Sequence, residues 1–371
     1  MRGRELHLKK GRELAKKLLT QDPNNGREVI ITGAKGAGKT TLMLRFAEAL
    51  MGKEYVIWRG RTVDQYNRLP NWRERVKIFV HKDMDVKFKK MIIGQKEPEQ
   101  LRLKSLIVRY SKPIGIIEQL EIDKLNVVYE PKFFQVSEEF ADHVLEKTGI
   151  EIHELIDSEM KAAYFWFEFD WTLLQEKGGI WVAEFKDEAH QIYPQNAPGL
   201  HYWLNQYAMY AMDDFRKQLI SHFLSTHMIT HIDSNIRAKM PFRIYLRGAV
   251  VERKQSAMRL KSVTMDLPKG VAKIEEIGSG YGEFRFKPYP EPGYNIVMFS
   301  KWKGPRPSRV NKRKGVLRDM VSKVFIEQGP QAALNYLKKL LKEGQISKPY
   351  YYALRSEILG KKGGGKVGAG A

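Results

Sequence analysis

The sequence has no cysteine among its 371 residues. Disulfide bonds and thiolate metal sites are therefore excluded, and a reducing compartment suits such a chain. Long apolar runs are missing too, because no stretch approaches the roughly 18 to 20 residues that span a bilayer. The basic start, residues 1–21, has neither a continuous apolar centre nor a small-residue cleavage site, so it is not typical of a secretory signal. These absences predict a cytoplasmic protein without membrane insertion.

Acidic residues are scarce beside basic ones. There are 43 Asp and Glu against 64 Lys and Arg, which gives a net charge of +21. Residues 301–371 hold 17 Lys and Arg against four acids, and residues 1–27 hold eight against three. The alternative for any one basic run is a solvated surface. Two basic ends favour a polyanionic partner, either nucleic acid or an anionic membrane.

The chain is long enough for one large domain and a smaller one. The apolar run EVIIT (28–32) predicts a buried strand, and 39–51 predicts a helix. Further strands are expected at 54–60 and 76–81, with a short helix between them. This β-α-β rhythm predicts an α/β fold with a parallel central sheet. Before it, leucines at helical spacing in 5–20 predict a basic amphipathic helix.

A glycine-rich segment, GAKGAGKTT, stands between the first strand and the helix that follows it. It matches the phosphate-binding pattern G-x-x-x-x-G-K-[ST] in the context that the pattern requires. The glycines let the backbone approach a phosphate, and successive amides with the helix N-terminus form an anion nest. Lys39 is expected to reach the β- and γ-phosphates, and the Thr40 hydroxyl to bind Mg²⁺. The predicted ligands are ATP and Mg²⁺, and the predicted nucleotide-binding residues are Gly33, Ala34, Lys35, Gly36, Ala37, Gly38, Lys39, Thr40 and Thr41.

Hydrolysis also needs carboxylates, and the segment IWVAEFKDEAH (180–190) supplies them after an apolar run. We predict that Asp187 holds Mg²⁺ and that Glu188 polarises the attacking water. Glu184 and Lys186 interrupt the apolar run, so Glu184 stays an alternative for the metal-side acid. A surface acidic turn is the other interpretation of this segment.

The next predicted strand ends in Thr226 and His227, where a polar side chain can sense the γ-phosphate. Beyond it, Arg237, Arg243 and Arg247 are candidates for an arginine finger offered to a neighbouring subunit, and Arg237 is the one we select. The predicted catalytic residues are therefore Lys39, Glu188, His227 and Arg237.

The C-terminal segment has a proline- and charge-rich linker at 301–315 and three short helical patterns at about 316–327, 331–342 and 349–359. They predict a helix-turn-helix-like module over 316–360, followed by a disordered tail at 361–371. The last helix would enter a major groove of DNA. Its predicted DNA-binding residues are Lys348, Tyr351, Tyr352 and Arg355. A helical clamp that serves only oligomerisation is the alternative.

Three segments in order, GAKGAGKT, KDEAHQIYPQNAPG and STHMITHIDSNIRAKMPFRIYLRG, resemble the FtsK–HerA superfamily. The resemblance is closest to its Zot-like and archaeal-viral genome-packaging ATPases, and it covers residues 28–250. The chain departs from the family in two ways. His227 stands where the family usually has Gln, and 146 residues separate Thr40 from Asp187, which indicates an insertion at about 82–165.

The resemblance implies a RecA-like P-loop NTPase core at 28–300, preceded by the basic helix in 1–27. It further implies a DNA-stimulated ATPase, assembled as a hexameric ring, that moves duplex DNA in viral or plasmid genome packaging or transfer. A viral protein of this kind would act in the host cytoplasm. Two alternatives remain open: a replication or recombination helicase on single strands, and an ATP-switched DNA-binding regulator.

Overall fold

The structure is a computed structural model that describes residues 2–92, 95, 97–156, 160–251, 264–290, 292–304, 312–342, 351, 354–355 and 358–359. The chain divides into two compact units, Met1–Arg306 and Pro307–Ala371. The strands of the first unit are β1 (Glu28–Thr32), β2 (Tyr55–Arg59), β3 (Val63–Asp64), β4 (Val76–His81), β5 (Met84–Ile92), β6 (Glu99–Leu101), β7 (Ile107–Tyr110), β8 (Leu125–Tyr129), β9 (Val182–Lys186), β10 (Ile220–Thr226), β11 (Phe242–Tyr245), β12 (Val271–Glu276), β13 (Gly280–Arg285) and β14 (Tyr294–Trp302).

The helices are mostly short. In the first unit they are α1 (Arg2–Leu18), α2 (Lys39–Leu50), α3 (Trp72–Arg75), α4 (Ile114–Ile117), α5 (Glu138–Thr148), α6 (His153–Ile156), α7 (Tyr164–Lys177), α8 (Leu200–Lys217) and α9 (Ser234–Ala238), and in the second unit α10 (Lys312–Lys342). Ser137 caps the N-terminus of α5, because its side chain accepts a hydrogen bond from the Phe140 amide. Among the described residues, no helix combines the length and the apolar character needed to cross a bilayer.

Within the described residues, ten strands form one sheet in the order β13-β12-β11-β1-β10-β9-β2-β8-β4-β7. Neighbours from β11 to β7 are parallel, and β12 and β13 extend the β11 edge as an antiparallel hairpin. The predicted α/β class with a parallel central sheet is confirmed. Since β10 lies between β1 and β9, the carboxyl ends of these three strands meet at one edge, where such sheets bind ligands.

The side chains of β1 alternate between two cores, which shows why the sheet needs helices on both faces. Val29 and Ile31 pack with the apolar residues of α2, whereas Ile30 packs with those of α7 and α8. All five residues of β1 are buried. A strand covered on both sides has a continuous apolar run, which is how EVIIT appears in the sequence.

The segment 82–165, which the sequence indicates as an insertion, contributes strands to two different sheets. Only part of it, β5 and β6, joins a second, antiparallel sheet of order β3-β14-β5-β6. The rest returns to the central sheet, where β7 takes the edge and β8 lies between β2 and β4. The five residues of β8 are all buried, as suits a central parallel strand.

The N-terminal helix packs on the antiparallel hairpin rather than projecting from the core. Leu14 and Leu18 are buried, while Leu6 is 69% exposed. The close approach needs glycine on both sides, because a Cβ on Gly11 would lie 2.2 Å from the Glu283 carbonyl oxygen and one on Gly282 would lie 2.2 Å from the Gly11 amide nitrogen.

In the second unit, α10 breaks at Gly329, which has a φ of 86° and is followed by Pro330. Its core contains Leu337, Leu340, Leu354 and Ile358. The sequence predicts that Tyr351 lies on the exposed side of the last helix and binds DNA. In the structure its ring is instead buried in this core.

Arg355, in contrast, is exposed, as a groove-facing side chain must be. Lys348, Tyr352, residues 305–311 of the predicted linker and the predicted disordered tail lie outside the described residues.

Candidate functional site

The glycine-rich loop follows β1 and leads directly into α2. Gly36 and Gly38 take positive φ values of 77° and 97°, which a side chain would disfavour, and Gly38 stands at the N-cap of α2. The Lys39 ammonium folds back to donate to the carbonyl oxygens of Gly33, at 2.8 Å, and Ala34, at 3.3 Å. The helix N-terminus and the loop amides therefore border a pocket that carries this ammonium.

Asp187 leaves the end of β9 and reaches this loop. Its Oδ2 accepts a hydrogen bond from Thr40 Oγ1 at 3.3 Å. Its Oδ1 accepts bonds from the Ser225 hydroxyl and, at 3.0 Å, from the Glu188 amide. Ser225 was not predicted from the sequence. The available signal was its position next to Thr226, at the end of a strand whose polar end was already expected to reach the phosphate site. The hydroxyl and carboxylate oxygens of Thr40 and Asp187 are ligands of the kind that Mg²⁺ prefers.

Glu188 lies beside Asp187 but faces two imidazoles. His227 Nε2 is 3.1 Å from one Glu188 carboxylate oxygen, and His190 Nδ1 is 3.4 Å from the other. The second ring nitrogen of His227, Nδ1, is 3.0 Å from Lys39 Nζ. Because an ammonium can only donate, Nδ1 accepts from Lys39 and Nε2–H donates to Glu188. His227 thus connects Lys39, predicted to bind the β- and γ-phosphates, with Glu188, predicted to polarise the attacking water.

The charges of the pocket act on each other through a partly dry environment. Burial lowers the pKa of Lys39, and the carboxylates of Asp187 and Glu188 partly oppose this by raising it. Burial also lowers the pKa of His190, with Glu188 acting in the opposite direction. Hence the Lys39 ammonium and the two carboxylates lie close together where water screens their charges less than at a surface.

Arg59, at the end of β2, holds the backbone that presents the two acids. It is 2% exposed and makes a bidentate ion pair with Glu130, at 2.9 and 2.7 Å. Its remaining nitrogen, Nη1, donates to the carbonyl oxygens of Asp187, at 3.1 Å, and Glu188, at 3.4 Å. Glu188 has a φ of 53°, a left-handed conformation that is uncommon for a residue with a side chain. Arg59 therefore stabilises a strained turn.

Arg59 was not predicted from the sequence as a site residue. The signal was present, because an arginine directly after the apolar letters YVIW must be paired if the strand is buried. A second arginine from the same connection, Arg68, donates from Nη1 to Thr41 Oγ1 at 3.1 Å and lines the pocket. Arg59 and Arg68 therefore both contact the site of the chain to which they belong.

Glu184, the alternative metal-side acid, lies elsewhere. It is fully buried with Lys186 and His222, whose nitrogens are 3.1 and 2.9 Å from its Oε2. Lys186 Nζ also contacts both Asp170 oxygens, at 2.7 and 2.6 Å. Asp170, Glu184 and His222 could together hold a metal ion, but the Lys186 ammonium already supplies the positive charge there.

The electrostatics of this cluster agree with that assignment. Burial and the neighbouring Glu184 together raise the pKa of Asp170 to about 8, although Lys186 acts to lower it. Burial acts in the same direction on Glu184, yet Lys186 and His222 outweigh it and lower its pKa to about 2. Lys186 and His222 thus favour the ionised form of Glu184.

The three arginines predicted as possible fingers differ in exposure. Arg243 is fully buried in β11, and Arg237 is 8% exposed on α9, with Nη2 3.3 Å from Gln195 Oε1. Arg247 is exposed, and its carbonyl accepts from the Ala34 amide of the glycine-rich loop at 2.9 Å. Of the three, none is among the residues that line the pocket around Lys39.

Known proteins resemble this chain in structure and not in sequence. No family model matches the chain, and no curated protein matches it. The genome-packaging NTPase B204 from Sulfolobus turreted icosahedral virus 2, in complex with sulfate, is 12% identical, covers 73% of this chain and 100% of its own, and has a TM-score of 0.37.

Two further solved structures are similar at the same level. The N-terminal domain of zonular occludens toxin from Neisseria meningitidis is 14% identical, with 71% of this chain and 95% of that chain covered and a TM-score of 0.29. The pCW3 conjugation coupling protein TcpA with ATPγS is 10% identical, with 72% and 67% covered and a TM-score of 0.33. Packaging and Zot-like proteins are the kinds that the motifs resemble. Because all these TM-scores are below 0.5, we base function on the residues of this chain.

Proposed function

We propose that the chain binds and hydrolyses ATP and uses the energy to move duplex DNA, as a homo-oligomer arranged in a hexameric ring. One observation carries the nucleotide part: Lys39, Thr40, Asp187, Glu188 and His227, drawn from three neighbouring strand ends, border a single pocket. An anion nest, an ammonium and two carboxylates at one place are the groups that phosphoryl transfer to water requires.

The residues divide the chemistry among them. Lys39 would exchange its His227 contact for the β- and γ-phosphate oxygens and neutralise their charge. Thr40 and Asp187 would hold Mg²⁺, which would offset the negative charge that develops on the phosphates. Glu188 would orient the attacking water and accept its proton. Release of His227 from Lys39 would leave that imidazole beside Glu188 and the terminal phosphate, where it can sense whether the phosphate is present.

The DNA part of the proposal rests on charge and on the ordered motifs. The net charge of +21, concentrated at the two ends of the chain, suits a polyanion. The resemblance to the FtsK–HerA superfamily favours duplex DNA and a ring over other polyanions and other assemblies.

The decisive experiment is a steady-state ATPase assay on the full chain with no DNA, with duplex DNA and with single-stranded DNA. Lys39→Ala should abolish turnover in all three while the far-ultraviolet circular dichroism stays that of the parent chain. Stimulation by duplex DNA, together with displacement of a third strand from a triplex, supports the translocase. Normal turnover by Lys39→Ala would falsify the nucleotide assignment.

The two alternatives give different results in the same assays. A helicase on single strands should be stimulated by single-stranded DNA and should open a fork without displacing the triplex strand. An ATP-switched regulator should bind duplex DNA with an affinity that depends on the nucleotide, yet neither be stimulated by DNA nor displace any strand.

A further inference from the structure

The pocket has a wall that phosphate chemistry does not use. Its volume is about 510 Å³, within the range of pockets that enclose a whole small molecule. Besides the loop and the two acids, it is lined by Lys269, Gly270, Phe286, Pro288 and Tyr289. The Phe286 ring lies 3.6 Å from the position that a Cβ on Gly38 would take, so it stands directly over the glycine-rich loop.

The helix that begins in the loop also fixes this wall. Arg45 on α2 donates to the carbonyl oxygens of Lys287, at 2.9 Å, and Pro288, at 3.2 Å, and its guanidinium lies 3.5 Å from the centre of the Tyr289 ring. The Tyr289 hydroxyl donates to Glu48 of the same helix at 2.5 Å. The wall and the phosphate nest are therefore parts of one rigid unit, and a ligand held by one meets the other.

A second contact sets the position of Phe286 from the other side. Its amide donates to the Gly270 carbonyl at 2.8 Å. This bond extends the pairing of β12 and β13 by one residue, and both Gly270 and Phe286 line the pocket. The Phe286 side chain is half-buried and the Pro288 ring is exposed. A flat aromatic face and a proline ring that remain open to a pocket contribute nothing to binding phosphate oxygens, but they suit the face of a planar heterocycle.

We propose that Phe286 and Pro288 form the base subsite of the nucleotide pocket and bind a purine by stacking, with little distinction between adenine and guanine. This inference rests on the proposed nucleotide binding and adds which residues recognise the nucleoside. Stacking accepts every base, because each has a π face.

The lack of distinction follows from the polar groups of this wall. Among its described side chains, Lys269 can only donate, and both purines present an acceptor at N7. The Tyr289 hydroxyl is already engaged with Glu48 and, at 3.3 Å, with the Leu44 carbonyl oxygen. Donation from Lys269 to N7 is equally available with adenine and with guanine, so this contact does not discriminate between the two purines.

Binding to the full chain by titration calorimetry tests this, with Mg²⁺ complexes of ATP, GTP and inorganic tripolyphosphate as the three ligands. Tripolyphosphate has the phosphates without a base. Phe286→Ala should raise Kd for ATP and GTP about tenfold or more, an effect of the size that stacking on one aromatic residue supplies. Its Kd for tripolyphosphate should stay within about twofold of the parent value, and Phe286→Trp should restore the ATP affinity.

Matched variants separate the possible outcomes. Phe299→Ala removes an exposed phenylalanine of β14 that does not line the pocket, and it should change none of the three affinities. If Phe286→Ala does not fold, Phe286→Leu keeps the bulk without the π face and should show the same pattern. Equal weakening of tripolyphosphate and ATP, or unchanged ATP affinity, would overturn the base subsite, and a preference of more than tenfold between ATP and GTP would overturn its lack of distinction.

The proposed function fails in a distinguishable way. Lys39→Ala should weaken all three ligands, since it acts on the phosphates. If the parent chain binds none of them, nucleotide binding itself is refuted. If the parent chain binds ATP and tripolyphosphate with equal affinity, only the base subsite is refuted.

Discussion

At the residue scale, Asp187 and Glu188 are adjacent in sequence but have different partners. Asp187 accepts from Thr40 and Ser225, whereas Glu188 contacts His190 and His227. Their roles should therefore separate on mutation. Glu188→Gln keeps the shape but cannot take a proton, so kcat should fall by about 10² to 10⁴ while ATP stays bound. Asp187→Asn should mainly weaken Mg²⁺-dependent nucleotide binding.

Glu184→Gln is the matched comparison for this prediction, because it makes the same chemical change earlier on the same segment, in a buried cluster. It should lower the thermal unfolding midpoint more than it lowers turnover, since Lys186 loses an ionised partner. Single-turnover hydrolysis and nucleotide retention on a filter measure the outcome. If Glu184→Gln traps ATP and Glu188→Gln does not, the assignment of the two acids is wrong.

Arg59 offers a second test at this scale, because it contacts the backbone of the two acids and lines no part of the pocket. Arg59→Lys keeps the charge but loses the planar fork that pairs Glu130 and both carbonyls at once. The turn at Glu188 should relax, and kcat should fall at least tenfold with a smaller change in KM. Trp166→Phe, which removes only the indole donor to Glu130, should have a milder effect of the same kind. Parent-like kcat in Arg59→Lys would exclude a positioning role.

At the scale of elements, β1 begins with a carboxyl side chain, Glu28, whereas the three residues that follow it are apolar. Glu28 is 2% exposed, and burial raises its pKa to about 8, with Arg216 acting to lower it. Between about pH 4.5 and 8 the folded chain keeps a proton on Glu28 that the unfolded chain has lost. Stability from this group is therefore full at low pH and is lost as the pH rises toward 8, by up to about 1.4 kcal/mol per pH unit.

Glu28→Gln should remove this contribution, so the free energy of unfolding should fall less steeply between pH 5.5 and 8 than in the parent chain. Other buried acids still contribute to the pH dependence of stability in this variant, such as Asp64, whose pKa burial raises to about 7. Urea unfolding at several pH values measures the difference, with Glu176→Gln on the exposed part of α7 as the control. Parallel pH profiles for parent and Glu28→Gln would show that Glu28 is ionised in the folded state.

Much of this architecture was accessible from the sequence wherever a local pattern fixes it. EVIIT, the glycine-rich loop and the helix after it lie as their spacing predicts, because each is determined by neighbours in the chain. The return of β8 to a place between β2 and β4 was not accessible, since strand order depends on long-range pairing. Phe286 was missed for the same reason, and the sequence could indicate that Arg59 is paired but not that its distant partners are Glu130 and the backbone of the two acids. Tyr351 was placed wrongly because a helical wheel cannot tell which face a small unit buries.

At the scale of the whole molecule, a ring would let one chain act on the site of its neighbour. Arg237→Ala should then lower turnover of the assembled protein far more than ATP affinity, since arginine fingers contribute about 10³ to 10⁵ in rate. Mixing Arg237→Ala with Lys39→Ala should restore part of the activity if the finger acts between subunits. Arg247→Ala, at an exposed arginine that follows β11, is tested alongside it. Recovery with Arg247→Ala alone would move the role to that residue.

The distribution of charge makes the second unit the place to test DNA binding. Residues 307–371 hold 14 Lys and Arg against four acids, so +10 of the +21 belongs to this unit. Removing it should weaken duplex binding and flatten its salt dependence, because the slope of log K against log salt falls by about 0.9 for each phosphate that the protein no longer neutralises. ATP hydrolysis without DNA should survive, since every residue of the pocket lies in Met1–Arg306.

Single substitutions sharpen that test of the second unit. Arg355→Ala removes an exposed charge and should reduce the salt slope by about 1 while the unit stays folded. Lys53→Ala, an exposed lysine of the first unit, is the matched control and should leave the slope unchanged. Tyr351→Ala, by contrast, opens a cavity in the core and should lower the thermal stability of the unit. If truncation dissociates the oligomer yet leaves the affinity of each chain for duplex DNA intact, the second unit is a clamp between subunits and the helix-turn-helix interpretation is wrong.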